Sequence, residues 1–279
     1  MGTSNTFKEK ILTGIFWFSA LFILGILFVI IGYIVFRGFS SISWEFISQA
    51  PTRAGREGGI LTPIVGTLYL TLVSIAVAVP FGVGTAIYLE EYAHKNSKFA
   101  YVVNLTAETL AGIPSIVYGL FGFVFFVVFL GMGWSILAGG LTLAIMILPT
   151  ITRTSQESIL GVPVEYRENS LALGASKWQT IIKVILPAAV PGIITGVILS
   201  VGRSVGETAA VILTAGSSLG MPVNVTDPAR TMAVHLYILA MEGLSVERAF
   251  GTAFLIIVLV LIINYLANLS LSKFKHSVR

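Results

Sequence analysis

Arg203 and Glu207 are the residues best placed to do chemistry, because both lie within a long apolar segment. A charge at the centre of a bilayer costs about 2.5 kcal/mol or more, so it persists where it is paired or faces water. The spacing of four residues predicts that the two side chains meet on one face of a helix. The planar guanidinium group suits tetrahedral oxyanions such as phosphate or sulfate.

Two interpretations of this pair remain open. In one, Arg203 attracts an oxyanion along a translocation path, while Glu207 holds the guanidinium group and keeps the empty path near neutral. In the other, the pair is a structural salt bridge that locks the segment. Intramembrane charge without a role is rare, which favours the first interpretation. We therefore assign Arg203 and Glu207 to a substrate path, with the hydroxyls of Ser204 and Thr208 as further candidates, although helical hydroxyls commonly bond to backbone carbonyls.

The composition is that of a helical membrane protein. Of the 279 residues, 56% are hydrophobic and 11% charged, and the mean hydropathy is +0.92; soluble domains carry about 25% charged residues. Lysine and arginine in such a chain report orientation, so the net charge of +4 does not indicate nucleic-acid binding. The chain has no cysteine, and its three histidines show no metal-ligand spacing. We predict contact with membrane lipid, no nucleic acid and no metal site.

Hydropathy predicts six membrane spans. The first is expected to remain as a signal anchor, because it is too long for a signal-peptide core and lacks a cleavage site of small residues. A mildly polar helix over residues 99–112 is expected to break at Gly112–Pro114, just before the third span. The six predicted spans cover approximately residues 11–36, 64–88, 115–130, 136–152, 188–214 and 249–271.

The distribution of lysine and arginine predicts that both termini are cytoplasmic, because positive residues concentrate on the inner side of a membrane. With this orientation, eleven positive residues lie inside and five in outside loops. The inside residues are Lys8, Lys10, Lys95, Lys98, Arg153, Arg167, Lys177, Lys183, Lys273, Lys275 and Arg279. The same orientation places residues 153–187 on the side of the membrane where ATP is.

Residues 153–187, which we call the docking loop, form a polar, helix-capable stretch between two apolar spans. From Tyr166 onward, the pattern predicts a helix, a left-handed exit at Gly174, a second helix capped by Ser176, and an end at Pro187. Apolar residues at i, i+3, i+4 and i+7 give the second helix an amphipathic stripe: Trp178, Ile181, Ile182 and Ile185. Periodicity alone favours an ordinary amphipathic connector as much as a surface that docks a partner.

The docking loop resembles the EAA loop of ABC importer permeases, which seats in a cleft of an ATPase subunit. The family pattern is Glu-Ala-Ala, three residues, Gly, and later Ile-x-Leu-Pro. Four positions match at these spacings: Glu168, Gly174, Leu186 and Pro187. Asn169 and Ser170 replace the two alanines, and Val184 replaces the isoleucine. The resemblance implies ATPase coupling through Glu168, Asn169, Ser170, Ala172, Gly174, Leu186 and Pro187.

Further stretches resemble the phosphate-specific (Pst) importer permeases, and the A-type subunit more than the C-type. They are GGILTPIVGTLYLTLVSIAVAVPFGVGTAIYLEEYA, GIPSIVYGLFG, LPTITRTSQESI and GRSVGETAAVILTAG, and the resemblance covers approximately residues 58–270. It implies an all-α membrane fold of the type I importer (MetI-like) class with six transmembrane helices. Residues 1–60 would hold the anchor span and first extracytoplasmic loop, and residues 61–272 the permease domain. In the family, the Arg and Glu of an RxxGE run are tied to phosphate passage; here they are Arg203 and Glu207.

The resemblance also implies partners: a C-type Pst permease in a heterodimer, a dimer of ATPase subunits, and an extracytoplasmic phosphate-binding protein. No Walker sequence occurs in the chain, so ATP and Mg are expected on the ATPase, and this chain is expected to be neither an enzyme nor a cofactor binder. The expected function is ATP-driven import of inorganic phosphate across the cytoplasmic membrane. The alternatives are import of sulfate, molybdate or tungstate, and a stand-alone secondary transporter or channel, for which the docking loop would lack a purpose. A role in reporting phosphate status could accompany transport.

Overall fold

This computed structural model describes residues 3–94 and 97–277 of the chain. They contain twelve α-helices and one short β-hairpin. Lys95 and Arg279, which were counted for orientation, lie outside the described residues. The helices are α1 (Thr3–Phe39), α2 (Trp44–Ser48), α3 (Leu61–Ile87), α4 (Lys98–Ala111), α5 (Ser115–Gly122), α6 (Ile136–Leu160), α7 (Val164–Ala172), α8 (Lys177–Thr180), α9 (Leu186–Val205), α10 (Ala209–Thr214), α11 (Met232–Met241) and α12 (Val246–Ser277). Strands β1 (Pro51–Thr52) and β2 (Glu57–Gly58) pair antiparallel, and π-helical turns follow α3 (Tyr88–Tyr92), α5 (Phe123–Phe129) and α8 (Ile181–Ile185).

The predicted all-α membrane architecture is confirmed. Within the described residues, five helices are long and apolar enough to cross a membrane, and the bent pair α4–α5 makes a sixth if it is one span. The two helices of that pair meet at 106°, at the predicted break of Gly112–Pro114, where proline disfavours helical backbone in the residue before it. Helix α3 begins at Leu61.

Helix α6 is longer than the predicted fourth span. It continues through the first part of the docking loop to Leu160 instead of ending near Thr152. Residues 153–160 contain neither glycine nor proline, and the extra turns bury Ser155, Gln156 and Ile159 inside the chain. Packing therefore extends the helix beyond the apolar stretch that hydropathy detects.

The prediction that Pro187 ends the second docking helix is wrong. Helix α8, the π-helical turn and α9 form one continuous helix from Lys177 to Val205. The π-helical turn precedes the proline directly, and the N–H of Leu186 bonds to the carbonyl of Ile181, five residues back. Such a turn accommodates a proline, which has no N–H, without a break in the helix. The second helix of the docking loop and the membrane span beyond it are thus one continuous helix.

The core forms where α3 packs against α6, with α5, α10 and α11 closing around them. Glycines allow the first two helices to approach closely. A β-carbon at Gly140 of α6 would collide with Val73 of α3, and one at Gly82 of α3 would collide with Ile151 of α6. A second apolar cluster joins the end of α3 to the end of α6 and to the continuous helix Lys177–Val205. Its members are Ala86, Ile159, Val162, Ile181, Ile185, Ala189 and Ile193.

Helix α1 makes its aromatic contacts to the protein near its C-terminal end, against α12. Tyr33 meets Phe250 edge-on, with ring centroids 5.5 Å apart, and Phe39 meets Phe254 at 6.1 Å. None of its most apolar 18-residue stretch is buried in the chain. A long apolar helix with exposed sides is suited to lipid, as expected for the predicted anchor.

The β-hairpin (residues 51–58) is held by basic residues near the last two helices. Arg248 donates to the carbonyl of Gly58, and Arg230 donates to the carbonyl of Ala54 at 3.5 Å. Both arginines interact electrostatically with His235, which is fully buried, with no hydrogen-bond partner for either ring nitrogen among the described residues. Gly55, at φ +100°, leaves no space for a β-carbon beside the imidazole. Burial and the two arginines lower the pKa of His235 to about 4.

Candidate functional site

The membrane helix α9 breaks beside the predicted substrate-path residues. It ends at Val205, and α10 begins only at Ala209. Helix α10 has six residues, about 9 Å, and the carbonyl of its last residue, Thr214, accepts from the N–H of Ser135 at the start of α6. The break therefore lies about the length of α10 from that contact, inside the bundle, because Ala210 and Val211 belong to the buried core. Irregular backbone at such depth occurs where it is buried in protein or lines a water-filled cavity.

Arg203 presents a free guanidinium group at this break. Its side chain is exposed in the last turn of α9, where a cation interacts favourably with the helix dipole. No ion pair or guanidinium hydrogen bond of Arg203 occurs among the described residues. Tyr118 of α5 is close enough for an electrostatic interaction with it. The donors of Arg203 are thus available to an anion.

Glu207 caps the next helix instead of pairing with Arg203. Its Oε1 accepts the N–H groups of Thr208 at 3.1 Å and Ala210 at 3.2 Å. The predicted Arg203–Glu207 pair does not form because the i, i+4 contact needs a continuous helix, and the chain leaves the helix at Gly206. The interpretation of the pair as a structural salt bridge is therefore wrong for this conformation.

The two candidate hydroxyls have different surroundings. Ser204 is buried, and its Oγ has no hydrogen-bond partner among the described residues. Thr208 is half-buried at the break, where its carbonyl accepts from the N–H of Ile212 at 3.0 Å. Thr208 thus shares the break with Arg203 and Glu207, whereas Ser204 lies in the protein interior.

Helix α9 has one packed part and one open part. A β-carbon at Gly192 or Gly196 would collide with α6, at Ser158 and Thr154 respectively. These two glycines therefore allow α9 and α6 to approach closely. A β-carbon at Gly202, by contrast, would meet no heavy atom of the described residues within 4 Å. The face of α9 that carries Gly202 and Arg203 is therefore open in the single chain, whereas Ser204 on the opposite side is buried.

The turn of the docking loop has the geometry that its residues predict. Helix α7 ends at Ala172 and α8 begins at Lys177. Between them Gly174 adopts φ +84°, the left-handed conformation expected of it. Ser176 caps α8 through a capping box, in which its Oγ accepts from the N–H of Gln179 at 3.3 Å and its own N–H donates to Gln179 Oε1 at 2.8 Å.

The predicted amphipathic stripe divides into two parts. Ile181 and Ile185 are buried in the second apolar cluster, whereas Trp178 is 58% exposed and Ile182 41% exposed. Of the residues assigned to ATPase coupling, five are exposed: Glu168, Asn169, Ala172, Gly174 and Pro187. Leu186 is half-buried, and Ser170 Oγ lies 2.9 Å from Thr180 Oγ1, joining α7 to α8.

Sequence reasoning missed an exposed apolar residue and the ion pair of an arginine in the docking loop. Leu173, at its tip, is 90% exposed, as expected of an apolar contact for a partner. Arg167, counted only for its charge, pairs with Glu91 at the end of α3 across 76 residues. The neighbouring acids Glu90 and Glu91 at the end of a span were the available signal, but spacing does not reveal which cation they meet.

Comparison with known proteins agrees with this geometry. The family model described as "Binding-protein-dependent transport system inner membrane component" matches residues 78–279. The chain is 34% identical to "Probable ABC transporter permease protein YqgI" of Bacillus subtilis, over 93% of this chain and 94% of that protein. It is also 34% identical to the phosphate transport system permease protein PstA of Mycobacterium leprae, over 92% and 86%. PstA of Haemophilus influenzae is 31% identical, over 82% and 80%.

Two solved structures share the fold. One is a bacterial ABC transporter involved in the import of alginate, with a TM-score of 0.69 and 17% identity over 96% of this chain and 99% of that one. The other is the inward-facing MetNI methionine ABC transporter, with a TM-score of 0.63 and 21% identity over 75% and 93%. At these identities the likeness concerns the fold alone. The chain belongs to the family of binding-protein-dependent transport system inner membrane components, as a membrane-integral permease subunit of an ABC importer with the MetI-like fold.

Proposed function

We propose that this permease conducts inorganic phosphate and that the anion passes Arg203 at the break between α9 and α10. The observation that carries the proposal is the exposed guanidinium group of Arg203, without an ionic partner among the described residues, at a break in a membrane helix. The similarity to PstA permeases supports phosphate as the anion. Import of sulfate, molybdate or tungstate is the alternative.

The geometry supports weak, reversible binding of an oxyanion. A guanidinium group donates two parallel hydrogen bonds to a tetrahedral oxyanion. Conduction requires binding that is favourable enough for entry and weak enough for release. The carboxylate of Glu207, half-buried at the same break, keeps a negative charge near the path and so favours release. Thr208 and Ser204 are the further candidates for contact with the anion.

The proposed assembly is a heterodimer with a C-type Pst permease, served by two ATPase subunits and an extracytoplasmic phosphate-binding protein. The open face around Gly202 and Arg203 suits a second permease, which would enclose the path. The docking loop, with exposed Glu168, Leu173 and Trp178, suits a cleft that offers both apolar and basic groups. The charge distribution supports cytoplasmic termini, and ATP and Mg would bind to the ATPase subunits, not to this chain.

The test replaces Arg203 in the assembled complex. Hydrogen bonds to charged groups contribute about 1.5–3 kcal/mol, so Arg203→Gln should lower phosphate uptake by about tenfold or more. The matched control is Arg37→Gln, which changes an arginine in the last turn of α1 that stacks on Tyr33, and it should leave uptake unchanged. Normal phosphate uptake by an assembled Arg203→Gln complex would remove Arg203 from the path.

The choice of anion needs a second measurement. Uptake of labelled phosphate by the wild-type complex with its binding protein should resist an excess of sulfate, molybdate or tungstate. Uptake of one of those anions in preference to phosphate would identify a permease for another oxyanion. Uptake without ATPase or ATP would contradict the docking-loop proposal and favour a secondary transporter.

A further inference from the structure

Arg167 of α7 joins the docking loop to two membrane helices with one side chain. Its Nε donates to Glu91 Oε1 at 2.9 Å, and its Nη2 lies at the same distance from that oxygen. Nη1 donates to the carbonyl of Val162, just after α6, and Nη2 donates to that of Ile159 in the last turn of α6, both at 2.8 Å. The two charged side chains are 21% and 8% exposed, so the pair is largely shielded from water.

Only an arginine can make this set of contacts. Its planar group holds five N–H donors in fixed directions, which here reach a carboxylate on one side and two carbonyls on the other. Carbonyls in the last turn of a helix have no partner within the helix and are satisfied from outside it. A lysine carries its charge on a single flexible atom, so it could keep the ion pair or the carbonyl contacts, but not both in the same geometry.

Glu91 belongs to a turn in which three successive residues each contact a different element. Glu90 Oε1 accepts from Gln156 of α6 at 2.9 Å, and the same amide donates to Asn104 of α4 at 3.1 Å. Tyr92 lies under the ammonium group of Lys177, 4.9 Å from the ring centroid. This turn is the π-helical one after α3, and such turns frequently occur at functional sites.

We propose that Glu91 is a positioning residue of the transport cycle, which through Arg167 makes helix α3 move together with the docking loop. The proposal rests on the proposed docking of the ATPase on this loop. Helix α9 moves with the loop because it continues α8 without a break. Helix α3 has no such continuity: the second apolar cluster packs it against α9, and the ion pair of Arg167 and Glu91, which we call the clamp, ties it to α7. Since α3 packs against both α6 and α9, the clamp lets one displacement move all three as a unit.

The first experiment measures uptake per ATP in the assembled complex. Glu91→Gln and Arg167→Lys should keep the ATPase bound and hydrolysing ATP, but lower the phosphate transported per ATP by about fivefold or more, because a coupling free energy is lost. The matched control is Glu157→Gln on α6. It removes the carboxylate of an exposed ion pair, in which Glu157 Oε1 lies 3.6 Å from Arg153 Nε. This variant should keep the wild-type ratio. An unchanged ratio in Glu91→Gln would overturn the proposal. So would a variant that no longer binds the ATPase and loses uptake and hydrolysis equally.

The second experiment measures the clamp directly. The chain has no cysteine, so spin labels can be placed on Glu165→Cys of α7 and Phe81→Cys of α3, both exposed. The distance between the labels should stay the same with and without ATP in the wild-type background and should vary in Glu91→Gln. A distance that changes with ATP while Glu91 is present would contradict the clamp.

Failure of the docking proposal has a separate signature. Leu173→Arg alters the exposed tip of the docking loop and touches none of the clamp residues. An ATPase that still binds this variant and a Glu168→Lys variant with normal affinity would show that the ATPase does not dock on the loop. Loss of binding in these variants, with a normal uptake ratio in Glu91→Gln, would overturn the clamp alone.

Discussion

The buried His235 makes the stability of the chain depend on pH in a way that can be calculated. In the folded chain its pKa is about 4, against an ordinary 6.5. Between these values the unfolded chain binds a proton that the folded chain does not, so the free energy of unfolding falls as the pH falls. The contribution is complete above pH 6.5 and decreases as the pH goes from 6.5 towards 4.

The expected loss is about 2 kcal/mol between pH 7.5 and pH 5, taking 1.36 kcal/mol for each pKa unit. The charge would arise between Arg230 and Arg248, the same residues that hold the β-hairpin. For a chain of this size the loss corresponds to a decrease in Tm of about 4–8 °C. The β-hairpin is the segment expected to detach first.

The assay is thermal unfolding of the detergent-purified chain at pH 7.5 and pH 5. Because carboxylates also titrate in this range, the quantity of interest is the difference between wild type and His235→Leu. Leucine fills much of the same space and leaves no buried nitrogen unsatisfied, so this variant should lose that part of the pH dependence. His94→Gln, which changes an exposed histidine, is the control and should behave as wild type. Equal pH dependence in His235→Leu and wild type would refute the reasoning.

Three further predictions concern α9, the docking loop and the cap of α10. Gly196→Val should lower the free energy of unfolding by about 1–3 kcal/mol through overpacking against α6, whereas Gly202→Ala, at an open position, should not lower it; thermal unfolding of both variants checks this. Ser176→Ala removes the cap of α8 and should cost about 0.5–2 kcal/mol locally, seen as faster hydrogen exchange over Lys177–Thr180 with unchanged exchange in α6. Glu207→Gln weakens the charge-assisted cap of α10 and should speed exchange of the Ala210 amide; unchanged exchange would show that the carboxylate charge does not stabilise the break.

Features that depend on local chemistry could be predicted from the sequence alone. Apolar length predicted the spans because a bilayer requires about 20 apolar residues for each helix. Gly174 and Ser176 predicted the turn of the docking loop, since a left-handed residue and an N-cap are satisfied within a few residues. The break before Ser115 followed from Gly112 and Pro114 in the same way.

Which distant groups meet depends on how the helices pack in three dimensions. The i, i+4 spacing of Arg203 and Glu207 predicted a pair, yet α9 ends at Val205 and Glu207 caps α10, so the guanidinium group has no ionic partner among the described residues. The clamp of Arg167 and Glu91 joins residues 76 positions apart, and the low pKa of His235 depends first on its burial and then on two nearby arginines. Charge and burial are properties of the assembled neighbours, so spacing along the chain does not contain them.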